Sequence, residues 1–459
     1  MRLHRSRPLL ASLLLACTLA GGVAPASAAT SRPSWVVTQI HDWNHPWAAT
    51  APGELDTKMA KMALDPYTFY RGTAHLFMRD MATWPASVYT TAQTGDTWIG
   101  GDAHLGNFDA SRDSSGKAVF KAADDDEGYL GQYVWDLRRL ATSMVLAGRQ
   151  NGIPDADIRT AIRDAVGAYV DKMSDFKGSS AESSFQLTKA NTTGVVDDTI
   201  AAADGKTRSS LLSKYTQLSG SQRVFQTNAQ LATASAATRS DLVSSMSAYV
   251  SSIASSKRYA SSFYAVKDVC QKLGSGVGSL GKLRYYVLVE GGSSSTSDDV
   301  ILEFKQESGS AVAQIVPGHL PASAYGSHEG QRVARSAKAH LLNADVLVGW
   351  TTVSGRPFYV HEKSPYQEDF DVAAFTSGGK LDTAAVYVGQ ALASAHALAD
   401  QDYDASVVGY SIDKQVSDAV TSKSGLKDEI ADFAFAYADQ VVLDWEAFVD
   451  AYEAGTPLY

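Results

Sequence analysis

Two short segments restrict what this chain can fold into. The first, GDAHLGNFDA at residues 101–110, puts Asp102, His104 and Asn107 into one turn. It follows the apolar run Thr97-Trp98-Ile99, which reads as a short buried strand. Residues 107–110 and 118–122 then flank Asp113-Ser114-Ser115-Gly116-Lys117, and turn residues between two short alternating runs make a β-hairpin. The second segment, Asp124-Asp125-Asp126-Glu127, lies just past that hairpin. The hairpin thus carries the chain from Asp102 and Asn107 on to further carboxylates.

An Asp, an Asn five residues on, and another Asp beyond a hairpin are the groups used for phosphoryl transfer in the protein-kinase arrangement. The first orients or deprotonates the acceptor hydroxyl, and the other two hold a divalent cation between the phosphates. On this reading Asp102 is the catalytic carboxylate, Asn107 and Asp124 are metal ligands, and Asp126 is the next candidate ligand. His104 is a second candidate in the catalytic loop, with packing or hydrogen bonding as its expected role, because such a site needs no imidazole base. Asp125 and Glu127 fit a solvated acidic turn as well as they fit a site. Asp136 is expected to cap its helix or hold the loop rather than to touch substrate.

A second constellation lies about two hundred residues downstream. Residues 265–273 read as a strand leading into Gly276-Val277-Gly278-Ser279-Leu280-Gly281. A lone GxGxxG is weak evidence, and its dinucleotide-binding reading requires a helix to follow. Here the β-branched and aromatic run Arg284-Tyr285-Tyr286-Val287-Leu288-Val289 follows instead. After a Ser/Gly/Asp turn comes Val300-Ile301-Leu302-Glu303-Phe304-Lys305. Strand, glycine flap, strand, turn and a third strand bearing Lys fit a nucleotide-binding lobe. Gly276, Gly278, Ser279 and Gly281 would close over phosphates, and Lys305 would neutralise their charge. A helix over residues 328–342 carries Glu329 near its start.

The remainder bounds the answer. Residues 1–28 combine Arg2, Arg5 and Arg7, an apolar run and Ala26-Ser27-Ala28, the pattern of a secretory signal peptide. The run is too short to span a membrane. Leu14-Leu15-Ala16-Cys17 permits lipid anchoring at Cys17, but the downstream Ala-x-Ala favours simple secretion to the extracellular space. Losing three Arg takes the formal charge from -10 to -13, and so acidic a chain without a long basic cluster is a poor nucleic-acid binder. Cys270 alone then remains, which excludes an internal disulfide. No second apolar stretch approaches membrane-spanning length. Three units follow: a mostly helical catalytic-loop part (29–262), a β-rich nucleotide-binding part (263–365) and a second helical part (366–459).

Within the helical parts, residues 51–84 are helical with a break at Pro66. Ile158, Ile162, Ala165, Tyr169 and Met173 form one apolar face, with Pro154 in the first turn. Residues 241–253 read as another helix in a Ser- and Thr-rich stretch. The last helix carries Ile430, Phe433, Tyr437, Val441, Trp445 and Phe448 on one stripe, which reads as core. Arg71, beside Phe69 and Tyr70, fits a structural Arg stacked on a ring better than a phosphate contact. His340, His361 and His396 lack metal-ligand spacing and read as structural.

With these residues in place, the chain resembles the bacterial family called domain of unknown function 2252, which is regarded as kinase-like. The shared pattern runs through FYRG (69–72), GDAHLGNF, DxDE (124–127) and WDLRRLATS (135–143). It continues through GVGSLG, the Lys305 strand, EGQRV (329–333), ALASAHA (391–397) and FAFAYADQ (433–440), nearly the whole mature chain. The resemblance implies an α+β, two-lobed protein-kinase-like fold. Ordinary kinases place flap and Lys before the catalytic loop, whereas here the loop comes first. The 391–397 helix resembles the one that precedes the catalytic loop in the aminoglycoside-kinase branch, so a circular permutation is implied. The chain departs from the pattern at Asp125, where the family has an aromatic, and near Arg335, where it has an acid, so that either Glu329 substitutes as the partner of Lys305 or that ion pair is missing. Val360-His361-Glu362-Lys363 departs from an Arg-Gln pattern.

The expected function is therefore a secreted phosphotransferase using ATP or another nucleotide with Mg²⁺ or Mn²⁺ on an acceptor the sequence does not identify. The same parts would serve nucleotidyl transfer if the nucleotide sat reversed. A catalytically inactive binding module is the alternative, since ATP is scarce outside cells. A phosphohydrolase built on Asp102, His104 and Asp124 ranks last, because it leaves the flap and Lys305 without a role.

Overall fold

Residues 31–459 are described by a computed structural model; the expected signal peptide and Cys17 lie outside the described residues. Four helices come first: α1 (Arg32–Asn44), α2 (Pro52–Met62), α3 (Pro66–Gly72) and α4 (Ala74–Met81). Pro66 begins a helix as well as ending the previous one, because its missing N–H is not needed there, and Asp65 accepts from the Thr68 N–H at 2.7 Å. Strand β1 (Thr97–Ile99) leads into the catalytic-loop segment. The expected hairpin forms from β2 (Phe108–Arg112) and β3 (Ala118–Ala122), and β4 (Tyr129–Gly131) returns to pair antiparallel with β1. Helices α5 (Tyr133–Gln150) and α6 (Asp155–Phe176) follow. Pro154 sits one residue ahead of α6 with an extended ψ of 141° rather than in its first turn.

After α7 (Gly194–Gly205) and α8 (Arg208–Tyr215) the Ser- and Thr-rich stretch contains a hairpin, β5 (Thr216–Ser219) and β6 (Gln222–Phe225), then β7 (Leu231–Thr233) and α9 (Ala236–Ser252). Next come β8 (Val266–Lys272), β9 (Arg284–Val289) and β10 (Val300–Gln306). Helices α10 (Ala322–Tyr325) and α11 (Glu329–Ala339) precede β11 (Gly349–Val353) and β12 (Arg356–Glu362). These strands make one antiparallel sheet in the order β11-β12-β10-β9-β8-β7. Both faces of β9 are covered: Val287 and Val289 pack with Tyr249 of α9, while Tyr286 and Leu288 pack with Leu212 and Tyr215. Double burial explains why its sequence after Arg284 is a continuous aromatic and aliphatic run instead of alternating. Both β7 and α9 belong with this sheet, upstream of the change in composition at residue 263.

The two-residue strand β13 (Glu368–Asp369) joins the β2–β3 hairpin and so ties the end of the sheet to the catalytic-loop region. Helices α12 (Gly378–Leu398), α13 (Gln401–Asp404), α14 (Ile412–Ala419) and α15 (Lys423–Glu453) complete the chain. On α15, Ile430, Phe433, Tyr437, Val441 and Phe448 are buried in the larger core, and the half-buried Trp445 donates to the Met62 carbonyl at 3.1 Å. The architecture is α+β. Among the described residues, no helix is long and apolar enough to cross a membrane.

The two central helices α6 and α12 cross where Gly389 faces Ala165. A Cβ on Gly389 would lie 2.1 Å from the Ala165 carbonyl oxygen, so only glycine allows this approach. Alanine in place of a mid-helix glycine ordinarily stabilises by about 1 kcal/mol. Here the clash dominates, and Gly389→Ala is expected to destabilise by roughly 1–3 kcal/mol. The same change at Gly379 of α12, which has no atom within 4 Å of its added Cβ, is expected to be neutral or stabilising. Thermal unfolding of the two variants checks the opposite signs.

Candidate functional site

The 101–110 segment is held by its backbone. Gly101 has φ +73°, and an added Cβ would lie 2.6 Å from the Glu127 carbonyl oxygen. The carboxylate of Asp136, in the first turn of α5, accepts from the Gly100 N–H at 2.7 Å and the Gly101 N–H at 3.0 Å. It therefore holds the loop. His396 of α12 lies 3.1 Å from Asp136 and 2.9 Å from the Tyr169 hydroxyl. Burial lowers the His396 pKa against the pull of Asp136, so its neutral ring donates to the carboxylate and accepts from the tyrosine. Leu105 N–H donates to Ser143 at 3.0 Å, and Asn107 Nδ2 donates to the Asp102 carbonyl at 2.9 Å. That bond leaves the Asn107 Oδ1 free for a ligand.

Asp102 is gripped from one side. Its Oδ1 accepts from Arg139 Nε at 2.7 Å and Nη2 at 2.6 Å, and the fully buried Arg139 guanidinium stacks 3.8 Å from the Tyr70 ring centre. The other oxygen, 3.8 Å from His104 Nε2, is free of strong bonds. Burial pushes the Asp102 carboxyl up to about 7, with Arg139 opposing and Glu127 and Asp124 adding to the rise. His104 is buried and held well below its ordinary pKa by loss of solvent and then by Arg71 and Arg139, so it is neutral. Its Nδ1 has no hydrogen-bond partner, which fits packing beneath the loop.

The four acids at 124–127 take four different environments. Asp125 lies 2.6 Å from His340 Nδ1, whose Nε2 lies 2.9 Å from the Trp98 carbonyl. Both neighbours are acceptors only, so His340 carries both protons; burial alone would lower its pKa, but Asp125 raises it. Glu127 Oε2 accepts from the Ala311 N–H at 2.5 Å. Asp126 contacts Lys305 Nζ and lies 3.9 Å from Lys282 Nζ. Burial works to raise its pKa, but Lys305 and then Lys282 hold it below the ordinary aspartate range. Asp124 has its Oδ1 3.5 Å from Lys305 and keeps 38 % of its side chain exposed, against 12 % for Asp126. Loss of solvent and the neighbouring Asp126 push it up to about 6.

Lys305 and the acidic turn thus meet directly, although 181 residues separate Lys305 from Asp124. Glu329 does not join them. It binds Arg332 one turn on at 2.5 Å, and the Lys305–Glu329 pair expected from the sequence is replaced by Lys305 with Asp126 and Asp124. The reason is the buried Arg332, which donates to the carbonyls of Gly128 (2.7 Å), Asp126 (2.9 Å) and Ser308 (2.9 Å) and so fixes the turn from α11. The flap between β8 and β9 makes a single helical turn, Val277–Ser279. Gly281 has φ +102°, and an added Cβ would lie 2.7 Å from Leu55. Gly276 is open, and Ser279 Oγ lies 3.5 Å from Asp126.

Asn107, Asp124, Asp126, Gly276, Ser279 and Lys305 line one cleft of about 790 Å³ between the sheet and the hairpin. Asp102 opens instead on an adjoining recess of about 30 Å³, shared with Asp124, Asp126, Gly278, Ser279 and Lys282. Among the described residues no group of three or more His, Cys, Asp or Glu side chains is placed to hold a metal. The available hard donors are Asp124 and the Asn107 Oδ1, since Asp126 is engaged by two lysines. Two oxygen donors fit Mg²⁺, which keeps several waters and completes its shell with substrate phosphates. Arg139, Lys282 and Arg332 are the groups of this site that the sequence reading missed. Their available signals were an Arg pair inside an otherwise apolar helix and a Lys directly after the flap.

No curated protein and no solved structure matches the chain. A family model described as "Uncharacterized protein conserved in bacteria (DUF2252)" matches residues 51–451, a span that includes every cleft residue named above. The chain belongs to this bacterial family.

Proposed function

We propose that the cleft binds a nucleotide triphosphate with a divalent cation and transfers its terminal phosphoryl group to an acceptor hydroxyl, within a kinase-like fold whose halves run in permuted order. The observation that carries this reading is the junction of Lys305 with the turn of Asp124 and Asp126. In the kinase arrangement a flap covers the phosphates, the Lys lies on the third strand, and an Asp after the catalytic loop holds the metal. Here the flap joins β8 to β9, Lys305 is on β10, and Asp124 lies beyond the β2–β3 hairpin. The chain passes from β12 through β13 to α12, whose His396 supports the catalytic loop through Asp136. That path runs from flap to Lys to helix to loop, the usual order with the ends joined.

Each residue then has a distinct task. Lys305 and Ser279 meet phosphate oxygens. Asp124 and Asn107 would hold the cation, which supplies charge neutralisation on the phosphates. Asp102 uses its free oxygen to accept the acceptor's proton while the new phosphorus–oxygen bond forms and the bond to the nucleotide diphosphate breaks. Arg139 fixes the orientation of that carboxylate, and burial makes it a stronger base than an exposed aspartate.

Asp102→Asn is expected to lower MgATP-dependent transfer by about 10²–10⁴-fold while leaving nucleotide-induced thermal stabilisation intact. Full turnover in that variant, assayed as nucleotide consumption with a panel of hydroxylated acceptors, would refute the role. Because the base works only when ionised, the wild-type rate should rise with pH through an ionisation near 7 instead of near 4. A rate flat from about pH 5 to 8 contradicts this assignment. Lys305→Met is expected to abolish stabilisation by MgATP, and also to lower the unfolding temperature without ligand, because Asp126 and Asp124 lose their shared counter-charge.

A further inference from the structure

Arg71 closes α3 where the flap and the catalytic loop approach each other. Its backbone carbonyl lies under the flap, 3.4 Å from where a Cβ on Gly278 would be. Its guanidinium carbon lies 3.3 Å from where a Cβ on Gly106 would be. Arg71 thereby lines both the large cleft and the small recess on which Asp102 opens. With Asp124, Asp126 and Ser279, which line both spaces as well, it stands between the space for a nucleotide and the carboxylate proposed to meet the acceptor, and it is the cation among the four.

Its electrostatic state differs from that of five neighbouring cations. Lys305 is matched by Asp126 and Asp124, Lys282 by Glu307 at 3.3 Å, Arg139 by Asp102, Arg284 by Glu303 at 3.0 Å and Arg332 by Glu329. Arg71 has no ion pair among the described residues, and its Nε is buried without a hydrogen-bond partner. The Tyr67 ring, 5.8 Å from the guanidinium carbon, accepts no conventional hydrogen bond. A guanidinium cannot shed its proton, and burying a donor such as Nε without an acceptor is unfavourable. Its planar fork matches two oxygens of a phosphate, and a charged pair of this kind is stronger than a neutral hydrogen bond.

We propose that Arg71 binds the terminal phosphate of the nucleotide, holding the group to be transferred against Asp102 and stabilising the charge on its oxygens during transfer. This assignment rests on the nucleotide reading of the cleft and adds the residue that distinguishes a triphosphate from a diphosphate. The guanidinium lies over a ring, that of Tyr67, in keeping with the stacked Arg expected from the sequence, and the phosphate role is added to it.

The test is calorimetric titration of the mature wild-type chain, Arg71→Gln and Arg71→Lys with MgATP, MgADP and inorganic tripolyphosphate. Wild type should bind MgATP more tightly than MgADP. Arg71→Gln should bind MgATP roughly ten- to a hundredfold more weakly, with MgADP unchanged, and Arg71→Lys should fall between. An unchanged ratio of MgATP to MgADP affinity in Arg71→Gln overturns the role of Arg71 and leaves the nucleotide reading standing. Wild-type binding of tripolyphosphate but of neither nucleotide, lost in Arg71→Gln, overturns the nucleotide reading and supports Arg71 as an anion clamp. Binding of none of the three probes overturns both. If the variants misfold, phenylglyoxal labelling of wild type decides the matter by peptide mass mapping. Protection of Arg71 by MgATP and not by MgADP supports the assignment, and equal labelling with and without MgATP refutes it.

Discussion

Four consecutive acids can be drawn into the interior of a protein only if their charges are met one by one. Burying an unmatched carboxylate is strongly unfavourable, and removing one partner of a buried pair costs about 3–5 kcal/mol. The turn at 124–127 satisfies this condition with groups from the other half of the chain. Asp125 takes a protonated His340, Asp126 takes Lys305 and Lys282, and Glu127 takes the Ala311 N–H. Arg332 collects the backbone carbonyls of Asp126 and Gly128. The sheet and the helical half are therefore bound to each other through one acidic turn, and the cleft exists because that turn forms its floor.

The same condition separates the roles of chemically identical residues. Asp126, closest to two lysines, is locked in the charged state and acts as an anchor. Asp124 shares Lys305 at longer range and remains partly open to the cleft, so it is the carboxylate with coordination capacity to spare. Asp102 is enclosed, which raises its basicity against the pull of Arg139, and Arg139 holds one oxygen only, which leaves the second for a proton. Environments that push neighbouring carboxylates in opposite directions are a recurrent way to divide acid, base and metal work within one site. The difference in environment here follows from geometry, since all three are aspartates within one stretch of the chain.

Much of this was legible in the residues themselves. The hairpin between loop and acidic turn follows from its turn chemistry, and the α15 stripe from its period. The glycine flap follows from what comes after it, because a strand of β-branched and aromatic residues rules out the helix that the dinucleotide motif needs. Cross-chain partners were not legible. Glu329 looked like the partner of Lys305 because it sits on the right helix, but Arg332 is one turn away and captures it. Arg139 was given no role from the sequence, yet it is fully buried, where it meets the charge of Asp102. The β5–β6 hairpin escaped notice because Thr216-Gln217-Leu218-Ser219 is mostly exposed and offers no apolar alternation to read.

Helix α11 shows how the two halves are kept in register. Its Arg332 holds the acidic turn, its Ser336 Oγ accepts from the Trp98 indole at 2.7 Å, and His340 at its end bridges Asp125 and the Trp98 carbonyl. Trp98 lies on β1, which leads directly into the Gly101 turn. One helix of the sheet half thus grips both the strand before the catalytic loop and the carboxylates after the hairpin. In a kinase-like arrangement an acid on this helix would hold the lysine. Here that task has passed to the acidic turn, and the helix instead holds the turn. The positions of Lys305 and Asp124 are consequently set by a single connected network, so a displacement of α11 shifts the groups proposed to meet phosphate and cation together.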